Sequence, residues 1–207
     1  MRKFSKTFKN AAVAKKLIKL KKSPSKDLAV KRLSSALNGK KVALAISGGI
    51  GATEAVKIAR EIRRQGAEVR AFLSPEARKF ITPLSVEWAT LEKPVLQAGP
   101  KVEYLEVFDV VLVCPATLHT LCKSALALSQ NVVDLVIANQ LGSSGKVLMV
   151  PAMNEQLWNH PGLKEHLEKL QSWGVKLYPS ATEEDRIKVP ESKELVQWVI
   201  EELKVKK

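Results

Sequence analysis

The chain has 207 residues, of which 45% are hydrophobic, so it fits one globular domain with a substantial core. It contains no run of about 18 apolar residues, which excludes a helix that spans a membrane. The formal net charge of +13 is confined to one end, because residues 1–41 hold 14 of the 34 lysines and arginines and a single acid, Asp27. The rest of the chain is formally neutral, which gives no support to a basic nucleic-acid-binding surface on its body.

The first 38 residues are predicted to form a basic arm ahead of a domain at 39–207. The arm mixes lysines with apolar residues in a pattern that suits an amphipathic helix: Phe4, Phe8, Ala11, Ala12, Leu17 and Ile18. Three interpretations fit this pattern, namely contact with an anionic surface such as membrane or RNA, docking on another subunit, and a solvated tail. The arm lacks the apolar core and cleavage site of a secretory signal, and an organelle transit peptide stays an alternative.

The cysteines and histidines of the sequence predict that the protein lies in a reducing compartment and that it has no metal site. Cys114 and Cys122 are predicted to be small buried hydrophobes, so a cytoplasmic location is expected. The three histidines are scattered and show no zinc-ligand spacing, so no metal is predicted.

A β-α-β unit opens the body. Residues 42–46 are a continuous apolar run that suits a buried parallel strand, and a glycine-rich turn follows it. The next helix is predicted to place Ala55, Ile58, Ala59 and Ile62 inward and to end at Gly66. Its outward residues are predicted to be Lys57, Arg60, Glu61 and Arg64. A second strand is predicted at 68–73, joined to the first by a right-handed crossover.

The glycine turn differs from the two common phosphate-binding patterns. A dinucleotide fingerprint requires a third glycine where Glu54 stands, and an acid where the second strand ends at Ser74, so NAD fits poorly. No Gly-Lys-Ser/Thr sequence is present, which removes the P-loop. The turn can still offer backbone N–H groups and a helix N-terminus to one phosphate, with the hydroxyls of Ser47 and Ser74 nearby. A mononucleotide such as FMN suits this set, although such turns also serve close packing alone.

Strands and helices continue to alternate along the body. A short helix is expected at 75–80, a helix that begins at Pro83 with Thr82 as its cap, an irregular stretch at 90–100 and an alternating stretch at 101–107. A strand at 110–114 is then followed by a helix with Leu118, Leu121, Ala125 and Leu128 on one face. The remaining expected elements are a strand at 147–150, a helix at 161–173, a strand at 175–178, a polar flap at 179–190 and a helix at 191–203. This order predicts an α/β fold, a three-layer doubly wound parallel sheet of the Rossmann-like or flavodoxin-like kind.

Two of the predicted strands end in Pro-Ala. One runs into Pro115-Ala116-Thr117 and the other into Pro151-Ala152-Met153-Asn154. Ligands of open α/β sheets bind beyond the carboxyl ends of the strands, so the Asn154 amide can present one acceptor and two donors to a crevice there. An ordinary loop with a capping asparagine explains the same residues.

The glycine turn and the two Pro-Ala strand ends, at these spacings, resemble the homo-oligomeric flavin-containing cysteine decarboxylases. The chain is most similar to the phosphopantothenoylcysteine decarboxylase part of coenzyme A biosynthesis enzymes, over about residues 24–190. The Ser-Pro-Ser-Lys-Asp sequence at 23–27 is similar to the lead-in of archaeal-type bifunctional forms. The synthetase domain of those forms does not follow, so a standalone flavoprotein is expected.

The resemblance implies FMN as the cofactor and assigns residues to it. Those that would bind FMN are Ser47, Gly48, Gly49, Ile50 and Ser74 around the phosphate and Thr117, Leu118, His119 and Thr120 along the flavin. Ala152, Met153 and Asn154 would face the substrate, with the Asn154 amide on its carboxylate. In this family FMN oxidises a cysteine thiol to a thioaldehyde that accepts the electrons left by CO₂. In the coenzyme A enzyme, reduced flavin then returns the electrons, which gives 4′-phosphopantetheine. The family's flavin sites lie between subunits of trimers, so a trimer or a multiple of trimers is expected.

Two positions depart from the family. Tyr104 stands where a segment like Lys-Ile-Glu-His-Val-Glu-Leu places an essential histidine, and an ungapped comparison puts Lys101 there instead. A tyrosine phenol is a poor base near neutral pH. His119 replaces a customary asparagine, either as a substitute imidazole or as a packing change. The catalytic candidates are therefore Asn154, Tyr104 and His119.

Three functions follow from these patterns. The first is an FMN-dependent decarboxylase of 4′-phosphopantothenoylcysteine. The second is an FMN-binding paralogue without that activity, such as a regulatory or assembly subunit or an enzyme with another substrate. The third is a module that its basic arm recruits to RNA or membrane.

Overall fold

The computed structural model describes residues 28–179, 182–183 and 186–204. The strands are β1 (Lys41–Ile46), β2 (Glu68–Leu73), β3 (Val110–Ala116), β4 (Val147–Pro151), β5 (Met153–Asn154), β6 (Lys176–Leu177), β7 (Thr182–Glu183) and β8 (Arg186–Ile187). The α-helices are α1 (Ala55–Arg64), α2 (Pro83–Thr90), α3 (Leu118–Ala125), α4 (Val132–Gly142), α5 (Glu155–Trp158), α6 (Pro161–Ser172) and α7 (Ser192–Lys204). Short 3₁₀ helices occupy Ile50–Glu54, Ala77–Lys79 and Glu103–Leu105.

The main sheet has five strands in the order β2-β1-β3-β4-β6, and all of its pairs are parallel. Val42 in β1 lies between Val69 of β2 and Val110 of β3. The chain moves outward from β1 to β2, then crosses back to β3 on the other side, so the strand order reverses next to β1. This order is the flavodoxin-like doubly wound topology, in which ligands bind at the reversal point.

Two apolar cores cover the two faces of this sheet. Consecutive strand residues alternate between them, so that Leu44 packs with α1, α2 and α7 while Ala45 packs with α3, α4 and α6. Every residue of β3 is buried, as the continuous apolar run requires. The predicted three-layer α/β fold is therefore confirmed.

Several local predictions were incomplete or wrong. Strand β3 continues through a cis Cys114–Pro115 peptide to Ala116 instead of ending at residue 114. Glu61 was expected on the outer face of α1, but only 2% of it is exposed, because its carboxylate accepts hydrogen bonds from Arg64 and Gln65. Leu128 lies beyond the end of α3 and is 46% exposed.

Helix α4 was not predicted from the sequence, and the segment predicted as a polar flap contains two short strands. Asn131 caps α4 with a reciprocal capping box to Asp134, which anchors that helix at its N-terminus. Strands β7 and β8 form an antiparallel pair, and β8 also pairs with β5. The short stretch 101–107, which alternates in sequence, contains a 3₁₀ turn and no strand.

The described chain begins on the body ahead of residue 39. The N–H of Leu33 donates to the carbonyl of Arg64, the N–H of Leu37 donates to that of Gln65, and Leu37 is 1% exposed. Residues 33–38, assigned above to the basic arm, thus pack against the end of α1. Residues 1–27 of that arm lie outside the described residues. Within the described ranges, no helix is long and apolar enough to cross a bilayer.

Candidate active site

A pocket of about 880 Å³ opens at the carboxyl ends of β1, β3 and β4. Nine of the residues predicted from the sequence line it: Gly48, Gly49, Ile50, Thr117, Leu118, His119, Ala152, Met153 and Asn154. The three sequence motifs therefore meet in one crevice, at the position where the strand order reverses.

Ser47 supports the pocket floor from below. Its hydroxyl donates to the carbonyl of Pro115 over 2.6 Å and accepts the N–H of Thr117 over 3.3 Å. Only 2% of Ser47 is exposed, and it is not among the lining residues. Ser47 thus joins the glycine turn to the first Pro-Ala strand end.

The glycine turn is packed too closely for side chains. A Cβ on Gly48 would lie 2.2 Å from the Cβ of Glu76, and one on Gly51 would lie 2.8 Å from Cγ2 of Val189. No hydrogen bond among the described residues occupies the N–H of Gly48 or Gly49. The turn therefore serves close packing and also leaves backbone donors for a ligand, so the two interpretations of its sequence are compatible.

Ser74 and Thr120 lie beneath the pocket surface. The Ser74 hydroxyl accepts the N–H of Ala77 over 3.1 Å, and Ser74 is 3% exposed. Thr117 caps α3, with its hydroxyl 3.2 Å from that of Thr120, which is also 3% exposed. Both buried hydroxyls shape the backbone around the pocket instead of lining it.

Asn154 both caps a helix and lines the pocket, so the two interpretations of its sequence do not exclude each other. Its Oδ1 caps α5 by accepting the N–H of Leu157 over 2.9 Å, and the residue lines the pocket. The cap identifies the amide oxygen, so the Nδ2 donors are left for a ligand. The second Pro-Ala end is tied to the first because the N–H of Ala152 donates to the carbonyl of Ala116 over 3.1 Å.

Charged residues that the sequence did not single out also line the pocket: Glu54, Lys57, Arg186, Lys188 and Glu191. Lys57 Nζ lies 2.9 Å from Oε2 of Glu54, and this hydrogen bond raises the lysine's pKa. The signal for this pair was the spacing of three residues directly after the glycine turn, which places both on one side of a helix.

Tyr104 lies away from the pocket of its own chain. It belongs to the 3₁₀ turn Glu103–Leu105, is partly buried against the core on the α4 side of the sheet, and does not line the pocket. Lys101, the alternative at the same family position, is exposed and does not line it either. Of the three catalytic candidates, the structure brings together only Asn154 and His119 within one chain.

The described residues contain no cluster of three or more histidines, cysteines or acids that could hold a metal ion. Cys114 and Cys122 carry free thiols. Burial raises the pKa of both thiols, and Cys114 is completely buried, so neither is poised as a thiolate nucleophile.

The sequence matches the Flavoprotein family over residues 30–204. The chain belongs to this family. The flavoprotein is 38% identical over 177 residues to the coenzyme A biosynthesis bifunctional protein CoaBC of Thermococcus kodakarensis, which covers 82% of this chain and 44% of that protein. It is 32% identical over 150 residues to CoaBC of Escherichia coli, covering 69% of this chain and 36% of that protein. The flavoprotein thus spans less than half the length of these relatives.

Solved structures share its fold. SpaF, an FMN-dependent cysteine decarboxylase, superposes with a TM-score of 0.71 at 17% identity, covering 82% of this flavoprotein and 99% of that chain. A mutant PPC decarboxylase complexed with pantothenoylaminoethenethiol gives 0.67 at 24% identity, covering 80% and 99%. The FMN-binding protein AtHal3 gives 0.63 at 25% identity, covering 79% and 97%.

Proposed function

We propose that this flavoprotein is an FMN-dependent decarboxylase that converts 4′-phosphopantothenoylcysteine to 4′-phosphopantetheine in coenzyme A biosynthesis. The observation that carries the proposal is Asn154, whose amide is oriented by its own helix cap and lines the pocket beside the glycine turn. The matched relatives are bifunctional coenzyme A biosynthesis proteins, which supports this substrate.

The pocket residues fit FMN. The pocket volume of about 880 Å³ lies within the range of cofactor sites. Gly48, Gly49 and Ile50 would hold the phosphate with backbone N–H groups. No side chain covers the N–H groups at Gly48, because a Cβ there would collide with Glu76. Residues 117–119 would line the flavin, with Ser47, Ser74 and Thr120 supporting the backbone from beneath. Bound FMN would supply the two-electron oxidation of the substrate thiol and would return the two electrons to the product after CO₂ has left.

The chain's own residues would bind the substrate and exclude water. The Nδ2 group of Asn154 donates to the substrate carboxylate, and a neutral donor suits a group whose negative charge disappears as CO₂ leaves. Ala152, Met153 and Ile187 give this end of the pocket an apolar wall. Such a wall removes water from the carboxylate, which disfavours the charged ground state relative to the departing neutral CO₂.

A second function is favoured by Tyr104. This residue stands at the family's histidine position and lies outside the pocket of its own chain. An FMN-binding paralogue that lacks this decarboxylase activity, either a regulatory or assembly subunit or an enzyme with another substrate, accounts for that replacement. His119, which lines the pocket, is then the only imidazole among its lining residues.

One experiment separates these functions. The purified full chain is loaded with FMN, its visible spectrum is recorded, and CO₂ release from 4′-phosphopantothenoylcysteine is measured with and without the flavin. FMN binding with flavin-dependent CO₂ release supports the decarboxylase. FMN binding without CO₂ release supports the paralogue, and failure to bind added FMN overturns both.

We also propose a homo-oligomer, either a trimer or a multiple of trimers. Its support is the set of large apolar side chains on the surface, including Ile50 at 72%, Leu84 at 75% and Val107 at 87% exposure. In such an assembly Tyr104 can contribute to the pocket of a neighbouring copy. Sedimentation equilibrium of the FMN-loaded protein tests this, and a monomer at micromolar concentration would overturn it.

We propose that the protein is cytoplasmic. Its basic arm is proposed to contact either another subunit or an anionic surface. Removal of residues 1–27 tests the arm without disturbing the described body, because residues 33–38 pack against α1. A change in oligomer size supports subunit docking, and loss of binding to anionic vesicles or RNA supports an anionic surface. If neither property changes, the arm is a solvated tail.

A further inference from the structure

The small sheet places Arg186 directly opposite Asn154. Strands β5 and β8 are antiparallel, with Met153 paired to Ile187 and Asn154 paired to Arg186. Met153 and Ile187 are both buried, whereas Asn154 and Arg186 are both exposed. Opposed residues of antiparallel strands project from the same face, with Cβ atoms about 5 Å apart. Arg186 and Asn154 therefore project side by side from the same face of the small sheet.

The charge on Arg186 is available to a ligand. Both Asn154 and Arg186 line the pocket. Lys57, another cation of the lining, is already paired with Glu54 over 2.9 Å. Within the described ranges, no hydrogen bond or ion pair engages the Arg186 side chain. On its other side Arg186 pairs through the backbone with Glu183 of β7, so a role in holding the hairpin together is the competing explanation.

We infer that Arg186 determines specificity by binding the substrate carboxylate together with Asn154. The inference rests on the proposed function and extends it to a residue that the sequence motifs do not include. A guanidinium presents parallel N–H donors that match both oxygens of a carboxylate, and the Nδ2 group of Asn154 adds a neutral donor. The pair selects substrates that carry an α-carboxylate.

This role has a kinetic signature. As the bond to CO₂ breaks, the carboxylate loses its negative charge, so a cation beside it stabilises the bound substrate more than the transition state. Replacement of Arg186 is therefore expected to raise KM while kcat stays unchanged or increases. A residue that only maintained the hairpin would lower kcat together with flavin binding.

A binding experiment tests the role independently of turnover. The FMN-loaded full chain is titrated with 4′-phosphopantothenoylserine, which lacks the reactive thiol, and with its counterpart from which the carboxyl group has been removed. Both probes keep the phosphate. For Arg186→Gln we expect about 10- to 100-fold weaker binding of the carboxylate probe and a change within about twofold for the other. Arg186→Lys should fall between wild type and Arg186→Gln, because an ammonium lacks the fork geometry.

Lys188→Gln is the matched control, because it removes one positive charge from the same pocket but not from the position opposite Asn154. Its ratio of affinities for the two probes should stay within about twofold of wild type. Equal weakening of both probes in Arg186→Gln, no weakening of either, or the same selective loss in Lys188→Gln would overturn the assignment. If FMN-loaded wild type binds neither probe, the proposed function fails, and the Arg186 assignment fails with it.

Discussion

The Ser47 hydroxyl donates a hydrogen bond of 2.6 Å to the carbonyl of Pro115, and both residues are buried. This bond connects the carboxyl end of β1 to that of β3, the two strands between which the strand order reverses. It aligns the glycine turn with the N-terminus of α3, so that the two proposed halves of the flavin site face one pocket.

Replacement of Ser47 by alanine is expected to destabilise the protein by about 1–3 kcal/mol, because the Pro115 carbonyl and the Thr117 N–H lose a buried partner. The free energy of unfolding in urea measures this loss. Ser172→Ala removes an exposed hydroxyl that donates only to the carbonyl of Lys169 and should change stability by about 0.5 kcal/mol or less. Equal stabilities of the two variants would contradict the structural role of Ser47.

Gly48→Ala is expected to cost about 1–3 kcal/mol and to weaken FMN binding. The new Cβ would lie 2.2 Å from the Cβ and 2.9 Å from the carbonyl carbon of Glu76, so backbone must move. Thermal unfolding and a flavin titration measure the two effects. Gly142→Ala provides the comparison, since nothing lies within 4 Å of its Cβ and alanine favours the helix. The proposal is contradicted if the two substitutions behave alike.

Lys123→Met tests an ion pair that joins α3 to α4. Lys123 Nζ pairs with Asp134 Oδ2, and the two side chains are only 7% and 2% exposed. The substitution removes the counter-ion of a buried carboxylate and leaves it only the N–H groups of Gln130 and Asn131, so a loss of about 3–5 kcal/mol is expected in urea unfolding. Lys164→Met breaks an exposed pair with Glu168 and should cost less than about 1 kcal/mol. A small effect at Lys123 would show that the buried pair is not needed to hold these helices together.

The ionisation of Asp109 is expected to make the stability of the protein depend on pH. Burial alone would raise the pKa of its carboxyl group, but hydrogen bonds from the Lys40 side chain and the Lys41 N–H outweigh burial and lower it. A lowered folded-state pKa stabilises the protein above the unfolded value of about 4, and this stability is lost as the pH falls through the folded value.

Asp109→Asn should therefore be about 1 kcal/mol less stable than wild type at neutral pH, a modest value because the carboxylate and its lysine partner are partly exposed. Urea unfolding at neutral and strongly acidic pH should show the difference shrinking in acid. A difference that persists or grows in acid would assign the effect to packing.

The fold was largely predictable because each central strand is a continuous apolar run. The strands β1 and β2 begin and end within one residue of their predicted limits. Helix α4 was not predicted because it is apolar on most of its circumference and shows no 3.6-residue period. The capping box at Asn131 was its main sequence signal. Strands β7 and β8 were not predicted because each has only two residues, too few to show a period, and because β8 is defined by its pairing with β5 and β7.

The glycine turn and the Pro-Ala ends were predictable as pocket residues because parallel strands place their carboxyl ends together. Lys57 and Arg186 were not, because an exposed charge on a helix or strand has the same sequence signature whether it faces water or a ligand. The burial of Ser74 and Thr120 beneath the surface depends on hydrogen bonds that only the folded backbone defines.

The most direct test of the proposed decarboxylase compares wild type with Asn154→Asp. Aspartate can still cap α5 by accepting the Leu157 N–H, but it removes the Nδ2 donors and adds a charge that repels a carboxylate. Mass spectrometry follows the conversion of 4′-phosphopantothenoylcysteine by the FMN-loaded proteins. We expect wild type to form 4′-phosphopantetheine over many turnovers and the folded, FMN-binding variant to be slower by about 100-fold or more. Unchanged substrate with FMN-loaded wild type, or full activity in the variant, would contradict the account.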